Sequence, residues 1–277
     1  GIESSCDETA AAICNNGKIV TSIVRSQEVH SQFGGVIPEV ASREHESHIN
    51  YIVHRALEDA ECTLQDIHSI AVTYGAGLLG SLLVGLNYAK GLAVGLHIPF
   101  IGVSHLEGHL YANFISFPDV QYPYVCLLVT GGHTQIWEVS KPRDYTLHAT
   151  TVDDAAGEAF DKGARILGLG YPGGPEIEKS AKKGDALSYT FPIPKVKNHP
   201  VNFSFSGLKT AILYKTQEMT ENEQKENLSN LAASYQEAII ETLLDRLEKV
   251  ILQTGILTIS ITGGVAANQR FREKADI

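Results

Sequence analysis

One plan occurs twice along the 277 residues, and it limits the fold more than any other feature. Short apolar runs end in glycine-rich or polar turns, a second run follows, and an amphipathic helix comes after. The first copy starts at residue 1. Gly1–Glu3 and Thr9–Ile13 read as strands around a polar turn, and Lys18–Arg25 continues as strand. Glu39–Ala60 reads as a helix with Ile49, Ile52, Val53, Ala56 and Leu57 on one face. Ser69–Tyr74 is a strand, Gly80–Leu96 an apolar helix and Phe100–Val103 a strand. A helix from Ser104 to Phe114 follows, with Ser104 as N-cap and Glu107 as its capping-box partner. The plan restarts near residue 122. Tyr124–Thr130 and Thr134–Val139 are strands around Gly131-Gly132, and Asp153–Leu167 and Leu231–Leu252 are helices. Ile256–Thr262 is a strand, and Asn268–Lys274 opens a last helix. Alternating strands and helices of this kind make sheets covered by helices. The expected class is α/β, with two lobes: residues 1–121, and residues 122–277 after a proline-containing linker at Ser116–Pro123.

Composition narrows the function classes. A chain with 43% hydrophobic and 19% charged residues is globular. Cys6, Cys14, Cys62 and Cys126 are scattered and form no C-x-x-C pair, which disfavours a cysteine zinc site and suits a reducing, cytoplasmic setting. No apolar run reads as long enough to span a bilayer, so no membrane is expected. Gly1 falls inside an apparent strand, so the start is expected upstream. The net charge of −10 does not suit an autonomous nucleic-acid binder; an RNA substrate would need a local basic patch or a partner.

Several segments carry chemistry. In Gly1–Thr9 a polar turn joins two strands, so its backbone amides could face a phosphate while Asp7 and Glu8 hold a cation or orient a leaving group. An ordinary hairpin with solvated acids fits the same residues. Val129, Thr130, Gly131, Gly132 and His133 form a strand end where paired glycines admit a ligand close to the backbone. Ile261–Asn268 places Gly263-Gly264 between strand and helix, where nucleotides bind, with Asn268 able to bond a base or ribose. His105 and His109, at i and i+4, share a helix face and could grip one metal. Leu106 stands where a zinc peptidase needs glutamate, which argues against that chemistry. Asp161 could accept bonds from substrate hydroxyls or be a surface helix acid. Between Lys182 and Lys215, six lysines (182, 183, 195, 197, 209, 215) meet one acid, Asp185, with Phe203 and Phe205 nearby, a composition suited to phosphate contact and base stacking. Gly75–Gly80 fits G-x-G-x-x-G, but Gly95–Gly102 has no acidic residue for a ribose, so a nicotinamide or flavin site is not expected.

Taken together, the phosphate turn and the two Gly-Gly segments resemble the actin, Hsp70 and sugar-kinase (ASKHA) superfamily, which implies a ligand cleft between two lobes. The strings GIESSCDETAAAI, SREHESHI, GLLGSLLVGL, VSHLEGHL, VTGGHTQIW, DDAAGEAFDKGARILGLGYPGGP, FSFSGLKTAI and ITGGVAANQRFR look like those of the TsaD family, bacterial type, across essentially the whole chain. The resemblance implies a cytoplasmic acyltransferase. It would move threonylcarbamoyl from threonylcarbamoyl-adenylate to N6 of adenosine 37 in tRNAs reading codons that begin with A. It further implies His105 and His109 as ligands of one divalent metal per subunit, Fe2+ before Zn2+. Val129, Thr130, Gly131, Gly132, His133, Asp161, Gly174 and Asn268 would contact the adenylate, or ATP or ADP in the same cleft. Asp7 and Glu8 would be the acidic catalytic turn. A TsaB-like paralogue and a TsaE-like ATPase are the implied partners.

The family's third metal ligand, an aspartate near its C-terminus, has no counterpart up to Ile277, so the chain reads as C-terminally truncated. Ala76 also stands where the family commonly has proline. A sugar- or ATP-phosphorylating member of the superfamily has no need of the histidine pair, and a non-catalytic TsaB-like scaffold should lack it.

Overall fold

A computed structural model of the chain describes residues 1–276. The chain forms two compact units, Gly1–Tyr111 and Ala112–Ile277. The α/β expectation holds, with one sheet in each unit.

The first unit has a five-stranded sheet in the order β3-β2-β1-β4-β5: β1 (Ile2–Glu3), β2 (Glu8–Asn15), β3 (Lys18–Ser26), β4 (Ile70–Gly75) and β5 (Phe100–Ser104). The first three strands are antiparallel neighbours, whereas β4 and β5 run parallel to β1. The parallel steps are possible because α1 (Pro38–Asp59) and α2 (Leu79–Leu96) lie in the connections. Pro38 starts α1, where its missing N–H costs nothing. The predicted face Ile49, Ile52, Val53, Ala56 and Leu57 is buried and packs with Ile2, Ile70 and Val72 of the sheet. The expectation that no apolar run is long enough to span a bilayer needs correcting. By length and composition α2 is apolar enough to cross one, although it buries Ser81, Leu82, Gly85, Ala89 and Ala93 within the unit. Its apolar run is broken by Ser81, Asn87 and Lys90, which hid it from a reading of uninterrupted runs. Helix α3 (His105–Ser116) begins in this unit and continues past its last residue, Tyr111; Ser104, the expected N-cap, is the final residue of β5.

The second unit carries β6 (Tyr124–Val129), β7 (Thr134–Lys141), β8 (Asp144–Thr150) and β9 (Ile259–Thr262) in the order β8-β7-β6-β9, with β9 parallel to β6. Every residue of β6 is buried, as its unbroken apolar run requires. Sequence reading missed β8, because DYTLHAT is polar and its turn rests on Arg143 at φ 65° rather than on a glycine. The helices are α4 (Ala156–Ile166), α5 (Gly173–Ala181), α6 (Ser206–Gln217), α7 (Glu221–Thr254) and α8 (Gln269–Ala275). Helix α7 is longer than predicted at its start, where Thr220 and Glu223 form a capping box. Its Tyr235, Ile239, Leu243, Leu247 and Val250 fill the core of the unit. At Gly163 a methyl group would lie 2.2 Å from the Tyr235 ring, so only glycine lets α4 and α7 approach this closely.

The structure departs from the sequence expectation at three places. Helix α4 starts at Ala156, not at Asp153; the Asp153 carboxylate instead accepts from the Phe205 and Ser206 amides at 2.7 and 3.3 Å and from both serine hydroxyls, Ser204 and Ser206. An acid that satisfies the first amides of α6 is worth more there than at the start of its own helix. Phe203 and Phe205 are fully buried in the core, stacked with centroids 6.1 Å apart, and so offer no face to a base. Last, a 3-10 turn, Gly264–Ala267, lies between β9 and α8.

Candidate functional site

In the first unit, the chemistry gathers around the end of β1. Glu3 leaves the sheet beside the polar turn, and its two oxygens have separate tasks. One accepts from the Ser5 amide at 2.5 Å, the other from the Thr73 hydroxyl of β4 at 2.5 Å. The second oxygen also faces His105 Nδ1 at 3.4 Å, and Ser5 Oγ lies 3.1 Å from the same nitrogen. Burial alone would raise the Glu3 carboxyl, but the bonds from His105, Ser5 and Thr73 outweigh it and hold it down to about 2. Glu3 is thus a half-buried anion beside the histidine helix. It was missed in the sequence; the available signal was an acid inside a short strand whose neighbour Ile2 is core.

One helical turn places His109 over His105, as the i, i+4 spacing predicts. The rings meet edge-on with centroids 4.6 Å apart, and the two Nε2 atoms are 3.1 Å from each other. Two ligand atoms bonded to one ion at about 2.0–2.1 Å sit roughly 3 Å apart, so the pair fits a shared divalent metal in both donor type and spacing. Among the described residues no cluster of three or more His, Cys, Asp or Glu adds to the pair.

The turn beyond Ser5 is held from three sides. Buried His45 links Thr9 Oγ1 at 2.7 Å to the Cys6 carbonyl at 2.9 Å, the Leu78 amide donates to the Ser5 carbonyl at 2.7 Å, and the Gln27 amide donates to the Asp7 carbonyl at 2.9 Å. Burial lowers the His45 pKa, consistent with a neutral ring that donates once and accepts once. A Cβ on Gly77 would stand 2.4 Å from the Ser5 carbonyl. The G-x-G-x-x-G segment is therefore a packing surface for this turn. Cys6 is exposed, yet desolvation of its thiol by the surrounding turn and the Asp7 charge push it up to about 12, so it stays protonated beside the acids. Asp7 is half-buried; Glu8 is exposed and its Oε1 accepts from Ser26 Oγ at 3.0 Å.

The second unit brings the other expected residues together. Val129 ends β6, and Thr130, Gly131, Gly132 and His133 turn into β7. Thr130 Oγ1 accepts from the His133 and Gly132 amides at 2.9 and 3.3 Å, while the Thr130 amide donates to the His133 carbonyl at 2.8 Å. Of the two glycine amides, Gly132's is therefore turned inward to Thr130, whereas Gly131 is exposed at the tip of the turn. The start of α4 closes on this loop: the Gly157 amide donates to the Thr130 carbonyl at 3.3 Å, and a Cβ on Gly157 would lie 2.8 Å from Gly131 Cα. The positive end of the α4 dipole thus sits at the loop.

Asp161 lies one turn further along α4. Its Oδ1 accepts from the Gly173 amide at 2.7 Å, which fixes the start of α5 and with it Gly174. Asn268 is 7% exposed and its side chain is already engaged: Oδ1 caps α8 through the Phe271 amide at 2.9 Å, and Nδ2 donates to Gln236 Oε1 at 2.8 Å. These two bonds commit the side chain to shaping the segment rather than to the base or ribose contact expected of it. At Gly263, φ is 101° and a Cβ would stand 2.3 Å from the Val129 carbonyl, so glycine alone lets β9 end against the loop. The lysines at 182, 183, 195 and 197 are exposed, whereas Lys215 pairs with Glu218 at 3.2 Å.

The Gly157 contact gives a test. Gly157→Ala should displace the Thr130–Gly131 backbone by a few tenths of an ångström or more, because backbone atoms cannot swing aside as a side chain does. We expect at least a tenfold drop in kcat/KM, about 1.4 kcal/mol, with thermal unfolding changed much less. Wild-type kinetics would show that the close packing does not set the loop.

Comparisons with known proteins show the family and the fold. A family model described as "TsaD: tRNA N6-adenosine threonylcarbamoyltransferase" matches residues 18–277. A tRNA N6-adenosine threonylcarbamoyltransferase of Thermosipho africanus is 50% identical over 277 residues, which is 99% of this chain and 83% of that protein. The protein of the same description from Clostridium perfringens is 50% identical over 274 residues, covering 98% and 81%. Among solved structures, HypF of T. kodakarensis matches with a TM-score of 0.64 at 12% identity, over 98% of this chain and 42% of that one. The ADPNP-bound activator of a 2-hydroxyisocaproyl-CoA dehydratase from Clostridium difficile matches with a TM-score of 0.54 at 14% identity, over 99% and 84%. At such identities these two report the ASKHA-like fold alone.

Proposed function

This chain belongs to the tRNA N6-adenosine threonylcarbamoyltransferase family, and from that premise we propose how its own residues carry the reaction. The activity is transfer of a threonylcarbamoyl group to N6 of an adenosine in tRNA, the step that makes t6A. The donor we infer is threonylcarbamoyl-adenylate, and the acceptor is adenosine 37 of tRNAs reading codons that begin with A. An anticodon-loop base can be splayed out without breaking a duplex.

The observation that carries the metal reading is the 3.1 Å approach of His105 Nε2 and His109 Nε2. A divalent ion held there, Fe2+ or Zn2+, would supply Lewis acidity and a template for oxygen atoms of the donor. The protein residues do the rest. Gly131, with the α4 dipole behind it, binds the phosphate end, and Asp161, Gly174 and Asn268 shape the nucleoside site. When N6 forms its bond to the carbamoyl carbon, the carbon–oxygen bond to phosphate breaks and AMP leaves. The N6 proton needs an acceptor, and the acidic turn of Asp7 and Glu8 supplies carboxylates for it. Equilibrium dialysis tests the first element: one Fe2+ or Zn2+ per chain in the wild type, none in the double variant His105→Ala, His109→Ala. Equal binding by both would remove the histidines from the site.

A chain of net charge −10 meets tRNA through a local basic surface or through partners, here a TsaB-like paralogue and a TsaE-like ATPase in the cytoplasm. The exposed Lys195 and the half-buried Lys209 lie in the lysine-rich stretch. Lys195→Gln with Lys209→Gln should weaken tRNA binding and flatten its log–log salt dependence by about 1–2 units of slope. An unchanged slope would exclude phosphate contact by these lysines.

A further inference from the structure

We propose that Glu3 is the positioning residue of the histidine pair: its carboxylate holds the proton of His105 on Nδ1 and so leaves Nε2 as a bare lone pair directed at His109 and the metal. This rests on the reading of His105 and His109 as metal ligands and extends it beyond the two of them.

One half-buried side chain joins β1, β4, the turn and His105. Glu3 Oε1 is committed to the Ser5 amide at 2.5 Å and Oε2 to the Thr73 hydroxyl at 2.5 Å, so β1, β4 and the turn fix the carboxylate in place. Its remaining acceptor capacity faces His105 Nδ1 at 3.4 Å. An ionised carboxylate only accepts, so the nitrogen that faces it must donate. Ser5 Oγ, 3.1 Å from the same nitrogen, can either donate or accept and therefore follows whichever tautomer the carboxylate imposes. A neutral imidazole has one N–H. Once it is on Nδ1, Nε2 is the ligand atom, and Nε2 is the atom that sits 3.1 Å from His109 Nε2. A carboxylate behind a metal-binding histidine orients the ring and raises its basicity.

Glu3→Gln separates charge and tautomer from shape. The amide oxygen is expected at the Oε1 position, because the amino group there would oppose the Ser5 N–H. That orientation turns the amino group toward Thr73, whose hydroxyl can accept, and toward His105 Nδ1. Nδ1 then becomes an acceptor and the ring proton moves to Nε2, where it blocks the metal. Two measurements on the full chain decide the matter. Nitrogen-15 NMR of the metal-free protein should show His105 protonated on Nδ1 in the wild type and on Nε2 in Glu3→Gln. Competition with a chelator should show Zn2+ binding weaker by about 10–100-fold in Glu3→Gln, and a ligand-site reading without Glu3 would leave it within threefold. A wild-type His105 protonated on Nε2, or Zn2+ affinity preserved in Glu3→Gln, overturns the assignment. If Glu3→Gln does not fold, the wild-type ring nitrogens still decide. Equal Zn2+ binding by the wild type and the variant His105→Ala, His109→Ala would remove the underlying metal reading instead, a result distinct from an unaffected Glu3→Gln.

Discussion

Replacing His105 and His109 together by alanine is expected to lower threonylcarbamoyl transfer by at least about a hundredfold, with either single replacement costing nearly as much. The magnitude follows from what the pair holds. Altering an outer partner of a metal ligand costs about 10–100-fold, so losing the ligands themselves must cost no less. The near-equality of single and double variants follows from geometry. On the proposed metal reading the two nitrogens, 3.1 Å apart, would serve one ion, so removing either one would disable the unit and the effects would not add. Folding should be little affected. The imidazoles are partly exposed, and the core-facing residue of this helix is Leu110. The measurement is transfer of labelled threonylcarbamoyl to an unmodified A-codon tRNA in the complete system, beside a thermal melt of each variant. Full activity in the double variant would show that the pair has no part in transfer. An additive pattern, each single change mild and the double severe, would mean that the rings act separately.

The same residues show where a sequence can be read and where it stops. The i, i+4 histidine spacing was legible because a helix turns a sequence interval into a distance. The buried stripes of α1 and α7 were legible for the same reason. Partners from distant segments carry no such interval. Glu3 meets Thr73 and His105 only because β1 and β4 are sheet neighbours and α3 follows β5. Asp153 read as the start of its own helix because the sequence does not show that the α6 amides, more than fifty residues on, will come to it. Phe203 and Phe205 read as stacking residues because they sit among lysines, yet neighbours in sequence need not share a surface: Lys195 and Lys197 are exposed, and both phenylalanines pack inward. Asn268 shows the opposite case. Its position at the start of α8 was legible, but the positions of Gln236 and the Phe271 amide, which take up its side chain, were not.

The lysine-rich stretch depends on a residue that the motifs did not mark. Arg246 of α7 has a side chain only 2% exposed. Its Nε donates to the Asn202 carbonyl at 3.2 Å, one terminal nitrogen donates to the Pro194 carbonyl at 2.5 Å, and the other pairs with Asp245. Segment 194–202 has neither helix nor strand to satisfy its backbone, so the guanidinium supplies donors that a ladder would otherwise provide. Arg246→Ala removes them all and leaves a cavity beside the core. We expect a stability loss of about 3–5 kcal/mol, the range for breaking a buried charge network by deleting one partner. At about 2–4 °C per kcal/mol for a unit of this size, the melting temperature should fall by roughly 10 °C. Arg246→Lys keeps the charge but not the planar fork, so it can reach one carbonyl and should recover only part of the loss. The segment carries Lys195 and Lys197, so both variants should also become sensitive to protease near these lysines and bind tRNA more weakly. A melting temperature within two or three degrees of wild type in Arg246→Ala would show that segment 194–202 is held by its other contacts. A stability loss with unchanged tRNA binding would separate the loop's order from RNA recognition and place the phosphate contacts elsewhere.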